Sequence, residues 1–512
     1  VCRITAEGKG FSDGEQHYLP ILPNREQVIN TIPFYQNAAG NKDINLTRLF
    51  PADATQRHLT IEYTNNPAWL VVQALPTMAN PTQKDALSLA SALYANIIGR
   101  TIITSSPKIA QTIHQWQQEN GNATSLNSNL EKDSELKTML LDETPWVADA
   151  NHESDQKRQL AGYLDASNTD YRISTFTTQL KQLQHTDGSF SWWPGMDGNV
   201  YMTTAVVETL CRLNHLAGQQ SDLDDMLSKA FGYLDQKMAD EVKELKRMEK
   251  KGIKNLQPSE TACHWLYASA LANRAKTSDM SYLINLLSKA PTKLTIYGKA
   301  GAAVILAQYG QTSRAKEYLQ SIREYTVYKE EIGRYFDTKK AQYSWLDYRI
   351  PTQTFAIEAL KMLTPNDTLT ISEMQRWLLN EKRTTSWSTS INSVNAVYAF
   401  LFNPSGNADM SKLAGSEQAT MYLDGAVIQQ PKATAAIGYV KVAPNLNSPT
   451  AAVNKLTIEK KSTGTSWGAV YGSFTQKSTQ VASAASGIKV TRSVKPTILG
   501  KATSSQVYKV GQ

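Results

Sequence analysis

Cysteine is scarce in this chain: Cys2, Cys211 and Cys263 are the three among 512 residues. An odd, sparse set offers no disulfide framework, and no pair stands in CxxC spacing, so a cysteine-ligated zinc site is excluded. Cys211 and Cys263 sit in apolar stretches and read as core thiols. Histidine is also rare, seven in all, with no HExxH pattern and no close pair suited to a metal. A glycine-rich phosphate loop is missing, so no metal and no cofactor is expected. No uninterrupted run of about 18 apolar residues occurs, and no membrane-spanning segment is expected. A strong charge of one sign is lacking as well. Lys and Arg number 53 against 46 Asp and Glu, a net charge of +7. Spread over this length, that excess permits weak attraction to anionic surfaces but reads as solubility. The basic stretch at residues 241–251 is interleaved with Glu241, Glu244 and Glu249, so it reads as a solvated helix face and not as a nucleic-acid arm.

The chain opens at Val1 without an initiator Met or a signal-like apolar region. It stops after Tyr508-Lys509-Val510-Gly511-Gln512, which reads as a strand just beginning. The expectation is a piece of a longer protein, with any targeting signal upstream.

What is present is apolar material and periodicity. Hydrophobic residues make up 41% and charged residues 19%, enough for a sizeable core and too little charge for disorder. At roughly 100–200 residues per domain, the length implies more than one domain. Residues 1–65 look β-rich: Leu59, Ile61 and Tyr63 alternate with polar partners, the period of a half-buried strand. Helical periodicity begins at Asn66-Pro67-Ala68-Trp69. Asn80 with Pro81 is expected to start a helix that carries Leu87, Ala90, Leu93, Tyr94, Ile97 and Ile98 on one stripe and ends near Gly99. Gly310 suits a left-handed helix stop, with Thr312 or Ser313 capping the next helix. A Trp, a Ser/Thr-containing turn and a small-residue helix recur at Trp192, Trp345 and Trp387, as in arrays of helical hairpins. After about residue 408 β character returns. Asp424-Gly425 reads as a hairpin turn; Leu456 and Ile458, then Trp467, Ala469 and Tyr471, read as strand faces. A helical domain inserted into one β-domain is the economical arrangement.

The centre of the helical region is Gln184-x-x-Asp187-Gly188-Ser189-Phe190. Asp-Gly makes a tight turn, and Phe190, Trp192 and Trp193 then either close the hairpin end or offer an aromatic surface on which a sugar could stack. His185, beside Asp187, reads as solvent-exposed. His215 follows Cys211 on one helix without an orienting third group. Carboxylates are many, but no pair is singled out for glycoside chemistry.

Five segments in register carry a resemblance. They are Phe11-Ser12-Asp13-Gly14-Glu15-Gln16-His17-Tyr18-Leu19-Pro20-Ile21-Leu22-Pro23, Asn66-Pro67-Ala68-Trp69-Leu70-Val71-Val72-Gln73-Ala74-Leu75-Pro76, Glu143-Thr144-Pro145-Trp146, the Gln184 to Gly195 stretch, and Trp467-Gly468-Ala469-Val470-Tyr471. Together they resemble the thioester-type region of bacterial alpha-2-macroglobulins, over most of the chain. The resemblance implies a multidomain α + β chain: an α/α toroid of helical hairpins (66–407) inserted into a CUB-like β-sandwich (1–65 and 408–485), with a truncated macroglobulin-type β-domain starting at 486–512. It also implies a periplasmic, outer-membrane-anchored or secreted protein. Its partners would be proteases and the neighbouring macroglobulin domains of the full-length chain, with no nucleic acid.

The family's chemistry is a Cys-x-Glu-Gln thioester, in which the Gln side chain acylates the Cys sulfur. Counting back from Tyr94-Ala95-Asn96 places that motif at Asp85, Ala86, Leu87 and Ser88, where neither Cys nor Gln stands. A check without alignment agrees: three residues after Cys2, Cys211 and Cys263 come Thr5, Asn214 and Leu266. The expectation is a member without a thioester and without catalytic residues, binding proteases non-covalently or serving in surface defence. The alternatives are a glycan-active α/α-toroid enzyme, hydrolase or lyase, and a purely structural interaction module.

Overall fold

The fold was analysed in a computed structural model. It describes residues 2–17, 24–65, 67–72, 74–107, 109–111, 113–114, 160–289, 294–329, 332–336, 348–381, 387–410, 413, 419–430, 439–446, 452–461, 466–477, 479–481, 497–498 and 501–502. Tyr18-Leu19-Pro20-Ile21-Leu22-Pro23, Glu143-Thr144-Pro145-Trp146, Trp345 and most of 486–512 lie outside the described residues.

The chain is mixed α and β. Five strands come first: β1 (Cys2–Gly8), β2 (Phe11–His17), β3 (Arg25–Gln36), β4 (Gly40–Asn45) and β5 (Thr55–Thr64). Five more follow the helices: β8 (Thr420–Leu423), β9 (Ala426–Val427), β10 (Tyr439–Val442), β11 (Lys455–Lys460) and β12 (Ser466–Lys477). Strands from the two ends of the chain pair with each other. One antiparallel sheet runs β10-β5-β12-β3 and another β4-β11-β8-β9. Ile61 faces Val470, and Ile44 faces Leu456. Both sheets bury side chains in a common core that includes Phe34, Ile44, Ile61, Met421, Leu456, Ile458 and Val470. Leu59, Ile61 and Tyr63 are buried, as their alternation predicts. The Asp424-Gly425 turn has φ of 47° and 88°, both left-handed. That geometry matches the twist of a two-residue hairpin.

Between the two groups of strands lie the helices. Besides the short α1 (Pro67–Val72) and α2 (Leu75–Ala79), eleven longer ones are described: α3 (Ala86–Ser105), α4 (Ala166–Gln182), α5 (Val200–Ala217), α6 (Asp224–Lys250), α7 (Glu260–Leu271), α8 (Ser278–Lys289), α9 (Ile296–Gln308), α10 (Thr312–Arg323), and, after the hairpin of β6 (Thr326–Lys329) and β7 (Gly333–Phe336), α11 (Arg349–Leu363) and α12 (Thr368–Asn380). The last is α13 (Ser390–Leu401). They divide into two kinds. α6 buries Met226, Ala230, Phe231, Leu234, Met238, Val242 and Leu245, one stripe at helical spacing, and exposes its charged side. α3, α9 and α13 are buried nearly all round, with small side chains such as Ala90, Ala92, Ala300 and Ala303 admitting close neighbours.

The buried helices follow one another in space: α3 touches α5, α5 touches α7, then α9, α11 and α13 in turn, and α13 returns to α3. The amphipathic helices α4, α6, α8, α10 and α12 pack outside them. The β unit meets this array through Trp467, 6.4 Å from Phe400 of α13, and through Tyr35, under the Arg376 guanidinium at 4.7 Å.

Several expectations need correction. α3 begins at Ala86, not Pro81, because the Asp85 side chain accepts from the Leu87 and Ser88 amides and fixes the first turn there. Asn80 instead ends α2. α3 runs past Gly99 to Ser105. Gly99 is needed where Tyr163 crosses: a Cβ there would meet the Tyr163 hydroxyl, which donates to the Ala95 carbonyl. The residue before α10 is Gln311, with no side-chain cap. In β12 the face buried against the second sheet carries Val470 and Phe474; Ala469 and Tyr471 lie on the other, half-buried face. By length and composition α3 could cross a membrane, at a mean hydropathy of 1.4, but 72% of that window is buried inside the protein, the place of a core helix.

Candidate functional site

Two separate stretches of sequence meet at one end of the helical array. The Ala86 amide, at the start of α3, donates to the Trp192 carbonyl at 3.2 Å. Residues 85–88 therefore sit against the loop that joins α4 to α5. Asp85 and Ala86 are buried, and Leu87 and Ser88 half-buried. The Asp85 carboxylate takes the Leu87 amide at 3.1 Å, the Ser88 amide at 3.0 Å and the Ser88 hydroxyl at 2.5 Å. Those bonds make this position a tight helix cap.

The loop is equally determined. Gly188 adopts φ +92°, and a side chain there would strike the Lys229 carbonyl of α6. The Asp187 carboxylate accepts from the Ser189 amide at 2.9 Å and hydroxyl at 2.6 Å, which holds its pKa below the usual range. Gln184 donates to the Gly188 and Met226 carbonyls at 3.1 and 2.9 Å, tying the turn to α6. Phe190 is fully buried, so it belongs to the core and not to a surface. Trp192 and Trp193 are 40% and 38% exposed. His185 is exposed, with Nε2 3.1 Å from the Met196 carbonyl.

The array also encloses a polar cluster that sequence reasoning missed. Arg212 of α5, 1% exposed, lies at its centre. Its guanidinium stands 4.9 Å from the Tyr398 ring, 5.1 Å from Tyr267 and 5.4 Å from Phe355. Nε donates to the Tyr267 hydroxyl at 3.1 Å, and Nη1 donates to Asn395 Oδ1. Nη2 is 3.0 Å from Glu208 Oε1 but off the hydrogen-bond line, so that contact is an ion pair only. Tyr267 donates onward to Glu358 at 2.9 Å, and Tyr398 donates to it at 3.3 Å. On the outward side Glu208 holds His264 Nδ1, and His264 Nε2 stands 2.6 Å from the Tyr297 hydroxyl. The side chains come from α5, α7, α9, α11 and α13.

Burial and charge oppose each other here. Burial disfavours the charge on Arg212, yet Tyr267, Glu208 and Glu358 hold its pKa well above the ordinary value. Burial pushes Glu358 up to about 7, against the pull of Arg212. Burial also pushes Glu208 upward, but His264 and Arg212 outweigh it and the pKa falls. For His264, burial disfavours the imidazolium and the Glu208 carboxylate overcomes it, so the pKa rises. Burial and then Glu208 raise Tyr297 well above the usual phenol. Lys361, one turn beyond Glu358, donates to the carbonyls of Ala399, Phe400 and Phe402 at 2.9–3.0 Å and so caps the C-terminus of α13. Burial lowers it to about 8.

The chemistry open to this cluster is limited. Glu208, His264 and Tyr297 form an oriented carboxylate–imidazole–phenol series, the geometry of an acid–base relay. His264 keeps 21% of its side chain exposed, while Arg212, Tyr267, Glu358 and Tyr398 are sealed in the core. Among the described residues no group of three or more His, Cys, Asp or Glu is placed to hold a metal ion. Cys211 is buried and Cys263 half-buried; burial raises both thiols, Cys263 to about 12. His215 Nε2 donates to the Asn403 carbonyl at 3.1 Å, and the ring stacks on Phe402 at 5.2 Å, a packing role. A cleft of about 400 Å³ lies elsewhere, between α1, α11 and the segment after α13, lined by Ala68, Lys361, Phe402 and Leu413.

No protein-family model matches the chain, and no curated protein matches it. Solved structures similar to it include bacterial alpha-2-macroglobulins. Native alpha-2-macroglobulin from Escherichia coli, spanning domain MG7 to the C-terminus, is 11% identical with a TM-score of 0.42, over 87% of this chain and 57% of that one. The Escherichia coli protein activated by porcine elastase is 12% identical at a TM-score of 0.43, over 87% and 32%. Salmonella alpha-2-macroglobulin reacted with methylamine is 10% identical at 0.39, over 87% and 24%. The chain thus spans between about a quarter and just over half the length of these proteins. With TM-scores below 0.5, the likeness carries no argument about what this chain does.

Proposed function

We propose that the chain is part of a bacterial alpha-2-macroglobulin-like envelope protein without a thioester. In this reading residues 66–407 are an α/α toroid, 1–65 and 408–485 a CUB-like sandwich, and 486–512 the start of a macroglobulin-type domain. The whole protein, periplasmic, outer-membrane-anchored or secreted, binds or encloses proteases without covalent capture. The observation that carries the reading is the cap of α3. Asp85-Ala86-Leu87-Ser88 stands where the ordered motifs put the thioester, and Asp85 and Ser88 bond each other in place of a Cys–Gln ring. The closed succession of buried helices between paired strands supports the toroid and its insertion.

The test mixes the full-length protein with trypsin, with and without methylamine. The expected result is no new thiol and no covalent adduct, with cleavage of large protein substrates suppressed more than cleavage of a small peptide substrate. A methylamine-sensitive adduct overturns the thioester-free reading. Unchanged cleavage of both substrates overturns protease binding.

One observation favours a second reading, a glycan-active acid–base enzyme: the Tyr297–His264 pair oriented by Glu208. The raised Tyr297 pKa opposes use of that phenol as a base. Cleavage of a uronic-acid polysaccharide, lost in His264→Asn, is the result that would establish it.

A further inference from the structure

The buried helices present their N-termini at one end of the array. Tyr297, in the first turn of α9, stacks at 4.6 Å on Tyr348, which precedes α11 and donates to Glu260 in the first turn of α7 at 2.7 Å. Ala86 of α3 meets the loop leading into α5. That same loop exposes an apolar group: Trp192 at 40%, Trp193 at 38%, Met196 at 51% and, on the first turn of α5, Tyr201 at 48%. Exposed large apolar side chains scattered singly need no explanation, but four within ten residues do.

Around them carboxylates outnumber free cations. Between Lys181 and Arg212 the sequence has no Lys or Arg, but it has Asp187 and Asp197 in the loop; Glu208 is buried against Arg212 and His264 and adds nothing to the surface. Glu260 adds an exposed carboxylate, and the Tyr201 hydroxyl is held protonated by burial and then by Glu260 and Glu208. Two cations near this end are turned away: Arg349 pairs with Glu381 at 2.9 Å, and Lys299 donates to Ser321 of α10. Lys84 is exposed beside Asp85. Helix N-termini attract anions through free amides. Here Asp85, Asn199, Ser259, Thr295 and Thr389 already cap α3, α5, α7, α9 and α13. An anion therefore finds few open donors, while a cation finds indole and phenol faces with carboxylates beside them.

We propose that this end of the helical array is a docking surface for a basic polypeptide segment, whose lysine or arginine side chains lie over Trp192, Trp193 and Tyr201 and pair with Asp197 and Glu260. The surface requires neither a protease nor the family reading; peptide binding is read on the 512-residue chain alone. The chain's net charge of +7 repels a cationic peptide in general, so binding reports this local surface.

The test is fluorescence anisotropy of a dye-labelled octalysine peptide at low and at 0.5 M salt, with a chitin hexasaccharide as competitor. The expected result is salt-sensitive binding, weakened roughly tenfold by Trp192→Ala with Trp193→Ala and by a similar factor in Asp197→Asn with Glu260→Gln. The charge variant keeps every aromatic ring, so it decides the matter if the tryptophan variant misfolds. No binding, or binding unchanged in the charge variant, overturns the proposal. So does competition by the hexasaccharide, which would make the surface a sugar platform.

Discussion

Glu358 offers the sharpest check on the buried cluster. Its carboxyl is fully buried and pushed up from 4.5 to about 7, first by burial. A folded-state pKa above the unfolded value means that folding favours the neutral form. Its contribution to stability is therefore complete below pH 4.5 and lost as pH rises through 7. At about 1.4 kcal/mol per pH unit of displacement, the loss is about 3 kcal/mol, a change of ~300-fold in the folded-to-unfolded ratio. Glu358→Gln keeps the shape and an acceptor for Tyr267 and Tyr398 but cannot ionise. Urea unfolding of both proteins from pH 5 to 8.5 isolates the effect. His264, with its raised pKa, also loses stability as pH rises, and Glu208, with its lowered pKa, loses it only in acid. Both are present in each protein, so only their coupling to Glu358 survives in the difference. The variant should match or trail the parent near pH 5 and exceed it by up to about 3 kcal/mol near pH 8.5. Parallel curves across that range would refute the placement of a buried, raised carboxyl beside Tyr267 and Tyr398.

Two further perturbations address the end where α3 meets the turn. Asp85→Ala removes the α3 cap and should cost about 1 kcal/mol; hydrogen exchange at the Leu87 and Ser88 amides should quicken, and unchanged protection there would deny the cap its role. Gly188→Ala forces a side chain into a left-handed turn and against the Lys229 carbonyl. The expected loss is at least about 2 kcal/mol by thermal unfolding, and a variant as stable as the parent would mean that the turn is not held as described.

Much of the fold could be read from local pattern. The alternation of Leu59, Ile61 and Tyr63 identified a strand, Asp424-Gly425 a hairpin and Gly310 a helix stop, because each depends on a few neighbouring residues. Boundaries were less legible. Asn80-Pro81 and Asp85 are both sound helix starts; Asn80 is taken up as the end of α2, and the Asp85 cap fixes the first turn of α3. Periodicity also could not say which face of β12 looks inward, since both faces are apolar and its neighbours in the sheet, β3 and β5, come from hundreds of residues away.

The site divides the same way. The sequence alone determined that no cysteine here has a glutamine three residues on, a covalent fact that no folding can change. It also marked the Asp187-Gly188 turn and the tryptophans after it. Only the tertiary structure decided that Phe190 is core while Trp192 and Trp193 are surface, and that their loop touches the cap of α3. It alone assembled Glu208, Arg212, His264, Tyr297, Glu358 and Asn395, which stand on five helices at no recognisable spacing. The physical reason is that side chains on helices far apart in sequence converge only when those helices pack together, and that convergence has no signature along the chain.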